Sequence, residues 1–233
     1  KFYMYDGGTR VLPCNVKKYV FNDINLTNQE QIFAGTNEGF DEIWWFYPSA
    51  DSDTNDRYVV YNYMQKIWYY GTIARTAWLD SGIRDFPVAA TNTKNLVLHE
   101  SGLDDAETAT TSAISASITS AQFDLDDGHK FMLISRMLPD ISFEGSTADS
   151  PVVTMSMSAL QNSGSGFNDP LSESGNSSGT VTRTASSPVE KFTDQIFLRV
   201  RGRQVSFKIE SSSTGIAWQL GSPRIDMRPD GRR

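Results

Sequence analysis

An acidic stretch between two aromatic-rich segments is the first place in the sequence where side chains could hold a ligand. Asp51, Asp53 and Asn55 alternate with small polar residues, and Ca²⁺ binds such oxygens when a tight turn brings several together. An EF-hand loop also needs glycine at its sixth position and glutamate at its twelfth, where this sequence has Asp56 and Asn62. We therefore interpret the stretch as a solvated hairpin loop and predict no metal ligands.

Paired carboxylates beside tryptophans would suit glycoside hydrolysis, which needs two carboxyl groups across a sugar, one of them kept protonated by an apolar environment. Asp41 and Glu42 stand just before Trp44 and Trp45. Neighbouring residues of a strand point to opposite faces, so Asp41 and Glu42 cannot form that pair. We interpret the tryptophans as core residues, with Trp44 and Trp68 as a candidate buried pair.

The chain offers few side chains for acid–base or nucleophilic catalysis. His99 ends a strand-like segment beside Glu100, His129 lies in a predicted turn, and the single cysteine, Cys14, excludes an internal disulfide and a cysteine-based zinc site. The sequence contains no P-loop, dinucleotide-binding, HExxH or GxSxG motif. It predicts no enzyme, no catalytic, cofactor-binding or metal-ligating residues, and no cofactor.

Charge is distributed unevenly along the 233 residues. The net charge is −7, but residues 199–233 carry +5 and the remainder carries −12. Phosphate binding requires cations gathered on one face, which a sequence alone does not reveal. We favour a solvated or partner-facing surface over nucleic-acid binding for the basic segment, and the choice between protein and DNA stays open.

The elements that must position these residues are predicted to be strands. Segments 41–47, 57–63 and 66–70 are dense in Trp, Tyr, Phe, Ile and Val, and turn-forming residues separate them. Further strands are predicted at 114–118, 130–135, 152–160, 195–200 and 204–210, the last alternating Val205, Phe207 and Ile209 with polar residues. This pattern is typical of antiparallel strands with one solvated face, and Asp126–Gly128 is predicted to form a hairpin turn.

We predict an all-β fold in two regions, with propeller-like blades at 1–102 and a β-sandwich-like antiparallel region at 103–233. Residues 161–190 contain eight Ser, four Gly and three Thr, which predicts a long loop or flexible arm. For this loop we favour contact with a neighbouring subunit over simple disorder. No run approaches the roughly 18 apolar residues of a membrane helix, so no membrane association is predicted.

Several segments together resemble the nozzle or head-to-tail stabilisation proteins of short-tailed bacteriophages. They are EIWWFYPS (42–49), YVVYNYMQKIWYYG (58–71), ARTAWLD (74–80), LVLHESG (96–102), and the closing segments GRQVSFKIES (202–211) and GIAWQLGSPRIDMRPDGRR (215–233). The resemblance covers most of 41–102 and 195–233, whereas 103–194 is matched only by its β character. The first residue is Lys1, so we expect a fragment or processed chain, equivalent to the C-terminal part of such a protein.

The resemblance implies a virion structural protein of the phage tail, with propeller-like blades and no cofactor. It also implies a homo-oligomeric ring, expected to be a hexamer, which contacts other tail proteins (adaptor, fibre or spike). Genomic DNA would pass through the ring without specific binding. The acidic residues 1–198 would suit a channel wall, because negative charge repels phosphates.

A second interpretation is a carbohydrate-binding or carbohydrate-active β module of a tail spike or secreted protein. Trp44, Trp45, Trp68 and Trp78 would then stack on sugars. Exposed, coplanar tryptophans near two carboxylates would favour this alternative, whereas buried tryptophans would favour the structural subunit. Under the structural interpretation, Trp68→Ala is expected to impair folding or assembly, since truncation of a buried Trp costs roughly 3–5 kcal/mol.

Overall fold

The protein is described by a computed structural model that covers residues 1–126, 128–160 and 181–231. Strands account for 46% and helices for 8%, which confirms the predicted all-β fold. The chain divides into two compact units, Lys1–Gly102 and Leu103–Arg233. Within the described residues, no helix is long and apolar enough to cross a membrane.

The first unit contains nine strands and short helical segments. The α-helix α1 spans Lys17–Asp23, and 3₁₀ turns span Leu26–Gln31 and Glu38–Phe40. The strands are β1 (Tyr3–Tyr5), β2 (Thr9–Val11), β3 (Phe33–Asn37), β4 (Glu42–Tyr47), β5 (Arg57–Asn62), β6 (Ile67–Thr72), β7 (Ala77–Leu79), β8 (Val88–Ala90) and β9 (Leu96–Leu98).

A four-stranded antiparallel meander, β3-β4-β5-β6, forms the centre of this unit. The predicted strands at 41–47, 57–63 and 66–70 are confirmed as β4, β5 and β6. Their β-branched and aromatic side chains fit a pleated sheet that is covered on both faces. Consecutive strands therefore pair in chain order.

Each face of the meander has its own cover. On the helix face, Tyr47 and Val59 pack in one apolar cluster with Tyr19 and Val20 of α1. On the opposite face, called the Trp44 face, Trp44 forms the centre of a second cluster. The three-stranded sheet β7-β8-β9 supplies Trp78 to that cluster.

Gly35 makes this approach between the two sheets possible. Gly35 lies opposite Trp44 on the neighbouring strand. A Cβ atom at Gly35 would lie 2.8 Å from Cγ of Trp78 and closer still to its Cδ1. Such contact is not tolerated without movement of the indole or the backbone, so a glycine is needed where Trp78 crosses β3.

The second unit contains the remaining described strands. They are β10 (Asp104–Asp105), β11 (Ser112–Ala113), β12 (Ala116–Thr119), β13 (Phe123–Asp124), β14 (Met132–Leu138), β15 (Ile141–Ser142), β16 (Val152–Leu160), β17 (Val181–Glu190), β18 (Val200–Gly202), β19 (Gln204–Ser211), β20 (Gln219–Leu220) and β21 (Arg224–Pro229).

Two sheets of this unit share one core, as in a β-sandwich. One sheet has the order β12-β19-β16-β17 with β13 beside β19, and the other has the order β18-β14-β21. Met155 and Met157 of β16 pack with Met132 and Ile134 of β14, and all four are fully buried. The predicted alternation of β19 is confirmed, since Val205, Phe207 and Ile209 are all buried in this core.

Three sequence predictions in this unit need correction. Residues 181–190 are not part of a loop but form β17, because their backbone pairs with β16 along its length. Residues 161–180 lie outside the described residues. Asp126–Gly128 does not close a hairpin, because β13 pairs with β19 whereas β14 pairs with β18 and β21. Of 195–200, Val200 lies in β18, and Ile196 forms an isolated bridge with Met137.

Candidate functional site

A buried carboxylate on the Trp44 face is the centre of the densest polar network in the first unit. Glu42 is only 8% exposed. Its Oε2 accepts from Trp44 Nε1 at 2.9 Å and from Asn37 Nδ2 at 3.4 Å, and its Oε1 accepts from the Tyr69 hydroxyl. The sheet register brings these donors together, because Asn37 lies opposite Glu42, and Trp44 and Tyr69 both lie opposite Val60.

A second carboxylate joins this network from the end of the three-stranded sheet. Glu100 Oε1 accepts from Asn37 Nδ2 at 3.2 Å, so Asn37 bridges Glu100 and Glu42. Desolvation and the neighbouring Glu42 carboxylate raise the pKa of Glu100, against the opposing effect of the Asn37 hydrogen bond. The sequence suggested Asp41 as the neighbour of Glu42, but the carboxylate that shares its hydrogen-bond donor comes from a distant strand end.

The phenol of Tyr69 is held in its protonated form. Burial, the hydrogen bond to Glu42 and the charge of that carboxylate raise the pKa of Tyr69 far above its ordinary value. Burial and the charges of Glu42 and Glu100 also raise the pKa of Tyr58. Tyr69 therefore acts as a permanent donor to Glu42, which fixes the carboxylate in one orientation.

His99 and Arg75 form a second polar contact beside the tryptophans. Arg75 is 6% exposed, and its Nε donates to Nε2 of His99 at 2.8 Å. A ring nitrogen that accepts a hydrogen bond carries no proton, so His99 is neutral in this arrangement. The imidazole packs against the indole of Trp78 with ring centroids 4.6 Å apart. His99 thus contributes to the packing of the Trp44 face.

The tryptophans of this unit stack on other aromatic rings of the chain. Trp44, 7% exposed, lies between Tyr58 and Trp78, with centroid distances of 4.8 and 5.4 Å and interplanar angles of 26° and 16°. Both faces of the Trp44 indole are therefore covered by the protein. Trp78 is half-buried, and its Nε1 donates to the carbonyl of Thr36 at 2.7 Å.

The predicted Trp44–Trp68 pair is wrong. Trp68 stacks on Trp45 with ring centroids 5.8 Å apart, and its centroid lies 4.6 Å from that of Phe2 and 4.7 Å from that of Tyr61. Trp68 is directly opposite Tyr61, which is opposite Ile43, and Ile43 and Trp44 are consecutive residues. Successive residues of a strand alternate between faces, so Trp68 lies on the helix face and Trp44 on the other.

The acidic stretch 51–55 is anchored to the 3₁₀ turn Leu26–Gln31. Asp53 Oδ1 accepts from Asn28 Nδ2 at 3.1 Å, and Asn55 Nδ2 donates to the carbonyl of Gln31 at 2.7 Å. Asn55 is 3% exposed, and this contact is partly buried. Across residues 1–126, 128–160 and 181–231, no three His, Cys, Asp or Glu side chains are grouped as metal ligands would be.

The remaining residues considered from the sequence are His129, Cys14 and Asp41. His129 is exposed in the second unit, and its carbonyl accepts from Arg203 Nη1 at 3.1 Å. Burial raises the pKa of the Cys14 thiol. Asp41 ends the 3₁₀ turn Glu38–Phe40 with a left-handed φ of 60°. The Glu42–Asn37–Glu100 contact was missed because no local sequence pattern links residues so far apart.

Comparison with known proteins does not assign a family. No protein-family model matches the sequence, and no curated protein matches it. The resemblance to phage tail proteins therefore stays a prediction.

Proposed function

We propose that this chain is a structural subunit of the tail channel of a short-tailed bacteriophage, part of a nozzle or stabilisation ring through which DNA is retained and ejected. The proposal starts from the resemblance of segments 42–49, 58–71, 74–80, 96–102 and 202–233 to such proteins. It places the chain in the virion, in contact with other tail proteins. Its work would be assembly and sealing, with function spread over interfaces.

The observation that carries this proposal is that the aromatic side chains pack on one another. Trp44 is covered on both faces by Tyr58 and Trp78, and Trp68 packs with Trp45, Phe2 and Tyr61. The buried Trp44 is therefore not available as a platform for sugars, whereas Trp45, Trp68 and Trp78 are half-buried. A rigid, ring-filled sheet that packs face to face against a second sheet is what neighbouring propeller blades require.

The charge distribution is compatible with a DNA channel. Residues 1–198 carry −12, and an acidic wall repels phosphates, so DNA would move through it without being held. We expect the surface that faces the channel to come from these residues. A ring structure with a basic inner wall would contradict this part of the proposal.

The decisive experiment is the mass of the purified chain in solution, measured by light scattering at low and high salt. One chain has a mass of 26.0 kDa, and we expect a closed assembly of several copies, six if the resemblance holds. Negative-stain images of the same sample should show rings. A species of one chain at both salt concentrations would contradict the proposal.

A carbohydrate-binding or carbohydrate-active module is the second candidate, because Glu100 is exposed, has a raised pKa and lies close to the buried Glu42. Such a pair near Trp78 resembles the acid and carboxylate of a glycosidase. Against it, Glu42 already accepts hydrogen bonds from three protein donors. Saturable binding to a polysaccharide panel that Glu100→Gln abolishes would favour this candidate, whereas no binding at any concentration would remove it.

A further inference from the structure

The arginines near the end of the chain gather on one face of the second unit. In the sheet β18-β14-β21, core-facing and outward-facing residues alternate along the strands. Val200, Ile134 and Met227 lie side by side and point to the core. The side chains between them point outward. The outward row across the three strands is Arg201, Leu133 and Arg228.

This outer surface extends along the strands and stays basic, and we call it the arginine face. The segment before β18 continues the alternation, with Ile196 and Leu198 buried and Phe197 and Arg199 exposed. On β21, Arg224 and Asp226 are also exposed. The arginine face consists of Arg136, Arg199, Arg201, Arg224, Arg228, Asp226, Leu133, Leu138 and Phe197.

The arginine face has uncompensated positive charge. Arg136 pairs with Asp226 at 3.4 Å, and Arg201 pairs with Asp230. Among the residues that the structure describes, Arg199, Arg224 and Arg228 form no ion pair and are exposed. Three arginines that could each reach a carboxylate therefore project from one side of the sandwich.

The arginine face also has the apolar content of a protein interface. Phe197 is 74% exposed, and the half-buried Leu133 and Leu138 lie on the same side. At its border, the guanidinium of Arg201 lies 4.3 Å and that of Arg203 5.0 Å from the centre of the Phe131 ring. Interfaces between proteins are enriched in arginine and aromatic residues together.

The first unit carries a surface of the opposite charge, which we call the acidic edge. It lies where β3 turns into β4 and consists of Glu38, Asp41, Asp80 and Glu100. Asp80 Oδ2 accepts from the backbone N–H of Glu38 at 3.0 Å, and Glu100 is bonded to Asn37, the residue before Glu38. In the described part of the chain, none of these four carboxylates forms an ion pair.

We infer that the arginine face binds the acidic edge of a second copy of this chain. The two surfaces differ, so the contact is heterologous, and repeated contacts of this kind close a ring when the rotation between copies allows it. This inference rests on the proposed ring-forming function and names the surfaces that would build it. Opposite charges on the two surfaces also fix the register of neighbouring copies.

A second copy fits the arginine face better than DNA does. Asp226 and Asp230 lie on or beside the face, where they would repel phosphates. If a DNA duplex bound there, the apolar side chains of Phe197, Leu133 and Leu138 would face its polar backbone. The same chain, in contrast, offers four carboxylates without an ion pair among the described residues.

The test uses two charge-reversal variants of the full chain. R199E/R228E makes the arginine face acidic, and E38K/E100K makes the acidic edge basic. Each variant alone would bring like charges together, so we expect at least roughly tenfold weaker self-association and a mass near that of one chain. Mixed in equal amounts, the two variants should restore the assembly, because each altered surface then meets its complement. K94E/K191E changes the charge by as much as R199E/R228E, on exposed residues that belong to neither surface, and should leave the assembly intact.

Light scattering, with circular dichroism to verify folding of each variant, separates the outcomes. Loss of assembly in each variant and its return on mixing supports the inference. An assembly that survives both reversals would overturn the inference and leave the proposed ring intact, whereas an unmodified chain that never associates would overturn both. Binding of a fluorescent random-sequence DNA duplex that R199E/R228E abolishes, with self-association unchanged, would assign the face to nucleic acid instead.

Discussion

The two units of this protein have cores of different chemistry. In residues 1–102 the core of the Trp44 face consists of stacked rings, with Trp44 between Tyr58 and Trp78 and Phe33 against Phe46 at 4.8 Å. In residues 103–233 the core is formed mainly by methionine, valine, isoleucine and leucine side chains, and the buried phenylalanines of the described part are Phe143 and Phe207. Packed sheets are thus joined mainly by planar rings in the first unit and by methionine and aliphatic side chains in the second.

Buried polar groups follow the same division. The buried polar residues of the first unit are Asn37, Glu42, Ser49, Asn55, Arg75 and Thr91, whereas those of the described second unit are Ser156 and Ser211. Buried polar groups specify one arrangement, since each must keep its partners, and stacked rings also depend on orientation. The first unit should therefore be sensitive to geometry, and the second should respond mainly to lost volume.

The largest effect is expected from truncating the central ring of the first unit. Trp44→Ala should lower the free energy of unfolding by roughly 3–5 kcal/mol, because it removes a buried indole and one hydrogen-bond donor to Glu42. Urea denaturation followed by circular dichroism measures the loss. Ile83→Ala, at a fully exposed side chain, is the control and should stay within about 0.5 kcal/mol of the unmodified chain. Similar stability of both variants would refute the importance of the stacked core.

Two substitutions of Met155 distinguish the effect of lost side-chain volume on stability from the effect of changed side-chain shape. Met155 is fully buried, so Met155→Ala should cost about 2–5 kcal/mol. Met155→Leu keeps the volume and should cost less than about 1.5 kcal/mol. The same denaturation assay applies to both. If Met155→Leu were as damaging as Met155→Ala, the second unit would depend on side-chain shape as strongly as the first.

A smaller loss is expected where the two sheets of the first unit approach. Gly35→Ala would push a methyl group into the indole of Trp78 and should destabilise the chain by about 1–3 kcal/mol. Gly39→Ala adds the same methyl group where no atom lies within 4 Å and should be neutral. Thermal denaturation of the two variants checks this, and equal melting temperatures would mean that Trp78 does not pack against β3.

The smallest effect concerns the pH dependence of the polar network. The pKa of Glu100 is raised, so between its ordinary value of 4.5 and the folded value the native state binds more protons, and the free energy of unfolding falls as pH rises. Glu100→Gln should remove this decline.

The pKa of Asp80 is shifted in the opposite direction to that of Glu100, so Asp80 serves as the comparison. Partial burial acts to raise its pKa, but hydrogen bonds from Glu38, Thr36 and Ser81 outweigh that effect and lower it below the ordinary 3.8. The stability from Asp80 is therefore present above 3.8 and is lost as pH falls through the folded pKa. Asp80→Asn should remove that acid-side loss, as denaturation curves over a pH series would reveal. Identical pH profiles for the two variants would contradict the assigned directions.

The fold class and the central strands could be predicted from the sequence because their signals are local. Dense aromatic and β-branched residues between turns predict β4, β5 and β6, and alternation at every second residue predicts β19 and its buried face. The composition of 161–190 was misleading at its end, because β17 is rich in serine and threonine yet pairs with β16 along its length. Pairing with a neighbouring strand decided the structure of that segment, and a local composition does not record such a neighbour.

Local signals predict that strands, and not helices, carry the aromatic residues, since period-two patterns and residue type act within a few positions. Which side chains meet depends instead on the folded chain. Glu42 reaches Glu100 through Asn37, Trp44 stacks on Trp78 instead of Trp68, and Arg201 and Arg228 lie on either side of β14. Sheet order and register set these contacts, because strand pairing joins residues that lie far apart in the chain.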